Sequence, residues 1–102
     1  MPNNNSILNA IGLCKKAGKL VIGAESIDSA QATGTLKLIV VANDAAERTL
    51  RRATYHNVRN GIPLARLELT KADIGIILGG RERAIVGITD DGLAGMLLKR
   101  IT

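Results

Sequence analysis

Lys15-Lys16-Ala17-Gly18-Lys19 is followed at once by the apolar run Leu20-Val21-Ile22, and then by Gly23-Ala24-Glu25-Ser26. A basic turn thus leads through a brief strand into a helix start. Lysine ammonium groups and the unbonded amides of a helix's first turn both attract anions, so this stretch reads as an anion site. A second basic locus, Gly79-Gly80-Arg81-Glu82-Arg83, places two guanidinium groups in a glycine-rich loop. A third set, Arg48, Arg51, Arg52 and Arg59, falls within one helical segment and reads mainly as that helix's wet face, with a secondary contact to RNA as the alternative.

Catalytic chemistry has little to work with. His56 is the only histidine and Cys14 the only cysteine. His56 reads as a residue on the polar face of its helix, and Cys14 as a small core residue on an apolar stripe, where a reactive thiolate is not expected. Structural zinc wants four His or Cys ligands, and the chain offers two such residues. Asp90-Asp91 fits ordinary helix capping. Neither G-x-G-x-x-G nor G-x-x-x-x-G-K-[ST] occurs, and the Gly79-Gly80 loop follows a helix where a phosphate cradle would follow a strand. No catalytic residue, metal ligand or cofactor is expected.

Composition narrows the partner. The chain has 102 residues, 46% hydrophobic, with a net charge of +5 and a pI near 9.9. That is one domain with a single core, and a polyanion is the natural partner. Tyr55 is the only aromatic residue. The core must therefore be aliphatic, and an RNA would be gripped as a folded shape through phosphates rather than on a base-stacking sheet. A lone cysteine excludes an internal disulfide and fits a reducing compartment. No apolar run approaches the ~18 residues of a membrane span. A cytoplasmic monomer is expected.

These groups are positioned by alternating helical and strand patterns. Residues 1–5 read as a flexible start and 6–102 as one domain. A helix is predicted from Ser6, its cap, to Ala17, with Ile7, Leu8, Ile11 and Cys14 on one face and Gly18 as the stop. Leu20-Val21-Ile22 forms a short strand, Ala24 to Ala32 a second helix, and Leu36 to Ala42 a strand covered on both faces. Asn43-Asp44 should cap a helix from Ala45 to Asn60, with Glu47 completing a capping box. Pro63 to Leu69 reads as an edge strand with one polar face. Thr70 caps a short helix ending at Gly79-Gly80, Ala84 to Ile88 is a fourth strand, and Asp90-Asp91 opens the last helix. The fold class is α/β, a four-stranded sheet with helices on both faces.

Lys16-x-Gly18-Lys19, Gly23 opening a helix, and Leu36 to Asp44 resemble the L7Ae/L30e superfamily of kink-turn RNA-binding ribosomal proteins. The likeness continues through Asn60-Gly61-Ile62-Pro63, Thr70-Lys71-x-x-Ile74-Gly75-x-x-x-Gly79 and Ile88-Thr89-Asp90-x-Gly92. It spans nearly everything from Ile7 to Ile101 and looks most like the short bacterial L7Ae-like ribosomal proteins. The resemblance implies a three-layer α/β/α sandwich with a four-stranded mixed sheet that binds structured RNA without catalysis, a kink-turn or related internal loop of ribosomal RNA or of another ribonucleoprotein RNA, with the ribosome as a further candidate partner. It implies RNA contacts at Lys16, Lys19, Gly23, Ala24, Glu25, Ser26, Arg81 and Arg83, with the helix start and the Gly79–Arg83 loop adjacent on one surface. Familiar kink-turn binders begin this helix Gly-Thr-Asn-Glu-x-x-Lys; here Ala24, Glu25, Ser26 and Ser29 stand at the Thr, Asn, Glu and Lys positions. The alternative is a protein-interaction or regulatory module on the same fold, with kink-turn recognition lost.

Overall fold

A computed structural model describes residues 4–101. Nine elements alternate along it: α1 (Asn4–Lys16), β1 (Leu20–Ile22), α2 (Ala24–Ala32), β2 (Leu38–Val41), α3 (Glu47–Asn60), β3 (Leu64–Arg66), α4 (Lys71–Ile77), β4 (Ile85–Ile88) and α5 (Asp91–Ile101). The strands lie in the order β1-β4-β2-β3, with β2 and β3 parallel and the other two pairings antiparallel. The two central strands, β2 and β4, are buried along their whole length. Helices on both sides make this possible, and the two-residue period of each strand divides its side chains between two cores.

One core joins Leu38, Val40, Val86 and Ile88 to Ile11, Cys14, Ile74 and Leu97, from α1, α4 and α5. The other joins Ile39, Val41 and Ile85 to Ile27 and Ala53, from α2 and α3. The molecule is therefore a three-layer α/β/α sandwich on a mixed four-stranded sheet. Gly87 of β4 faces the second core, where a Cβ would lie 2.8 Å from Leu36 Cδ1 and 3.2 Å from Ile27 Cγ1. Its missing side chain lets α2 settle onto the sheet.

Several element ends differ from the sequence reading. Asn4 and Asn5 belong to the first turn of α1, so Ser6 is not its cap; the Ser6 carbonyl instead accepts from Arg100 Nη1 at 3.0 Å. Met1 to Asn3, the rest of the expected flexible start, lie outside the described residues, as does Thr102. Asp44 does not cap α3, which starts after Ala46 without a side-chain cap. Its Oδ1 accepts from the Lys71 amide at 2.8 Å, tying the β2–α3 turn to the start of α4, while Glu47 pairs with Arg51 at 2.7 Å. The capping box is at α4: Thr70 Oγ1 accepts from the Asp73 amide at 3.1 Å, and Asp73 Oδ2 accepts from the Thr70 amide at 3.0 Å. Strand β3 is only three residues long and lies at the sheet edge with Arg66 exposed.

Candidate nucleic-acid interface

Helix α2 opens at Gly23, which takes φ 90° and has no side chain to cap the first turn. Only glycine adopts that conformation at little cost. The Gly23 N–H donates to the Ile85 carbonyl at 3.1 Å, fixing the helix start beside the first residue of β4. No side-chain cap covers the helix end, leaving the amides of Ala24, Glu25 and Ser26 to whatever docks there. Glu25 and Ser26 are exposed, and Ile27, wholly buried, anchors the turn to the core.

The structure separates the lysine turn from this helix start. Lys19 stands at the opposite end of β1, where its carbonyl accepts from the Thr89 amide at 2.9 Å. Four residues of extended chain put roughly 13 Å between Lys19 and Gly23. Because α2 then runs back along β1, Lys19 meets the helix's flank rather than its N-terminus. A shallow groove of about 640 Å³ holds Lys19 with Gly18, Glu25, Ser26, Ser29 and Thr89. Lys16 is exposed, and its side chain has no hydrogen bond or ion pair among the described residues. Lys15, the first lysine of the basic turn, points towards α4 and donates from Nζ to the Leu78 carbonyl at 3.3 Å. Helix C-terminal carbonyls attract cations, but nothing in the sequence marks which lysine would reach one.

The Gly79–Arg83 loop starts at that contact. Gly79 and Gly80 take φ values of 108° and 101°, and the Gly80 amide returns to the Gly75 carbonyl at 2.7 Å. The loop folds back along α4 until the Arg83 amide donates to the Lys71 carbonyl at 2.9 Å. Gly75 permits this approach: a Cβ there would overlap the Arg81 carbonyl oxygen and lie 2.6 Å from its carbon. Arg81 is exposed, whereas Arg83 is half-buried, with its Nε shielded from solvent and without an acceptor among the described residues. Two residues beyond Arg83, Ile85 receives the Gly23 amide. The loop thus begins beside Lys15 and ends beside the start of α2.

Ala24 also borders a second cleft, about 770 Å³, between α2 and α3. His56 lies in its floor. It is only 5% exposed, which corrects its reading as a polar-face residue. Its Nε2 stands 2.7 Å from Asp28 Oδ1, its Nδ1 3.1 Å from Asn60 Nδ2, and Asp28 Oδ2 forms an ion pair with Arg52 Nη2 at 2.9 Å. A carboxylate on α2 supplies the partner that a buried imidazole requires, so His56 clamps α2 to α3. Cys14 is wholly buried, and desolvation, reinforced by the charge of Asp90, pushes its thiol pKa up. A thiol held protonated in a core is a poor nucleophile. Asp90 is occupied in capping α5, accepting from the Leu93 amide at 2.9 Å.

No protein-family model matches the chain. Over 92 residues it is 33% identical to RNA-binding protein YlxQ of Enterococcus faecium, covering 90% of this chain and 87% of that protein. It is 27% identical over 88 residues to RNA-binding protein YlxQ of Bacillus subtilis strain 168, covering 86% and 87%. A Bacillus halodurans protein of unknown function superposes with a TM-score of 0.85 at 25% identity, over 93% of this chain and 95% of that one. The Giardia lamblia 15.5kD RNA binding protein superposes at 0.78 with 16% identity, over 96% and 83%, a likeness of fold. With a third of the aligned residues identical over most of this chain and most of the Enterococcus protein, the protein belongs to the YlxQ family.

Proposed function

We propose that the protein binds structured RNA without catalysis, taking a kink-turn or a related internal loop of a ribosomal or other cytoplasmic ribonucleoprotein RNA. The observation that carries this reading is the Gly79–Arg83 loop, which runs from Lys15 to the partner carbonyl of Gly23. The loop thereby joins Lys15 at the end of α1 to the uncapped amides of the α2 start, while Lys19 stands on the flank of that helix. Arg81, Arg83, Lys16 and Lys19 hold phosphates; the amides of Ala24, Glu25 and Ser26 meet an oxygen at the helix end; and the Glu25 carboxylate and Ser26 hydroxyl meet base edges. A carboxylate accepts but does not donate, so Glu25 suits the N1 and N2 edge of a guanine. The names of the Enterococcus and Bacillus subtilis relatives support the RNA reading.

The salt dependence of binding tests it. Four cations on phosphates should give a slope of roughly −3 to −4 in log K against log salt for a folded internal-loop RNA. A slope near zero, or no saturable binding at low salt, would remove RNA as the ligand.

A further inference from the structure

We propose that α3 carries a second RNA contact, on which Tyr55 stacks one unpaired nucleobase while Arg48, Arg52 and Arg59 hold the phosphates on either side. The inference rests on the RNA reading above and adds a strand-binding face to it. Residues 48, 52, 55 and 59 are spaced by four, three and four, so they form one stripe along the helix. The stripe is about 16 Å long, enough for a few nucleotides, and the only aromatic ring of the protein sits inside it.

The ring is both available and held. Tyr55 is 54% exposed and borders two hollows, the α2–α3 cleft and a groove of about 570 Å³ that includes Leu50, Val58 and Arg59. It meets His56 edge-on at a centroid distance of 5.7 Å, and His56 is locked by Asp28 and Asn60. The Arg59 guanidinium carbon lies 5.9 Å from the ring centroid, the geometry of a cation beside a π face. Nucleobases stack on tyrosine and on arginine planes in the same way.

Charge favours a nucleic acid over a protein partner. Helix α3 carries four arginines against one glutamate, a net +3 within a chain of +5. The Arg48 side chain has no ion pair or hydrogen bond among the described residues, and Arg52 shares Asp28 with His56 at a half-exposed position. The cleft containing Arg48, Arg52 and Tyr55 also contains Ala24, the first residue of α2. A strand leaving the α2 start therefore passes directly onto the arginine stripe.

Because Tyr55 is the sole aromatic residue, tyrosine emission reports on this ring alone. The protein would be titrated with single-stranded hexaadenylate and with a base-free ribose-phosphate chain of the same length. Stacking predicts that hexaadenylate quenches the emission while the base-free chain binds without quenching. Tyr55→Phe should retain the affinity for hexaadenylate, and Tyr55→Leu, checked for native circular dichroism, should lose roughly tenfold. Equal affinity of the Tyr55→Leu and wild-type proteins for hexaadenylate would overturn the proposal, as would an equal effect of both chains on the emission. Absence of quenching while a folded internal-loop RNA still binds would overturn the α3 face alone. Failure of the folded RNA as well would overturn the primary reading.

Discussion

Gly75→Ala is expected to lift the Gly79–Arg83 loop off α4, lowering stability by about 1–3 kcal/mol and weakening RNA binding with it. Two effects oppose each other at this position. Alanine gains up to about 1 kcal/mol over glycine in a helix interior. Its methyl group would, however, collide with the carbonyl group of Arg81 and stand 3.0 Å from Glu82 Cα, backbone atoms that have no rotamer to change. The collision wins because relief requires moving a segment pinned by the Gly80–Gly75 and Arg83–Lys71 hydrogen bonds. Gly95→Ala is the matched control: it lies in α5, where an added Cβ meets nothing within 4 Å. That variant should gain about 0.5–1 kcal/mol. Urea unfolding of both proteins reads the contrast directly, and an equal gain in both would refute the packing of the loop against Gly75.

Replacing Arg81 and Arg83 together by alanine should weaken folded-RNA binding by at least roughly tenfold near physiological salt and reduce the salt slope by about two units. Folding should barely change. Arg81 is exposed, and Arg83 loses no hydrogen bond through its Nε, which has no acceptor among the described residues. Removing a buried unsatisfied donor relieves a cost rather than adding one. Binding and stability can therefore be read apart, unlike in the glycine variant, where both fall. Unchanged affinity with an unchanged slope would take the arginine loop out of the RNA surface.

The order of elements was legible because this chain states its periods clearly. Leu38 to Val41 is an unbroken apolar run, Ile7, Ile11 and Cys14 recur at helical spacing, and Gly18, Gly34 and Gly61 adopt positive φ where helices end. Interactions between elements were not legible. Asp44 and Glu47 have the spacing of a capping box, yet the Lys71 amide captures Asp44 from a segment 27 residues away. His56 looks solvent-facing until Asp28 of another helix supplies its partner. The same holds at the candidate site. Residue types marked both basic loci, but the direction of β1 decides that Lys19 lies apart from Gly23, and the fold-back over Gly75 decides that Lys15 meets the loop. Such contacts depend on chain reversals that local propensity does not encode.

Glu25 and Ser26 retain acceptors and a hydroxyl where the familiar readers carry Asn and Glu, and the amides beneath them do not depend on side chains. The direct measurement is a titration of the purified protein against a kink-turn RNA and a matched duplex lacking its G·A pairs, at two salt concentrations. The kinked RNA should be preferred by at least roughly tenfold, and the preference should persist at the higher salt, because base and shape contacts are less screened than phosphate contacts. Equal, weak binding to both RNAs, collapsing together as salt rises, would contradict it.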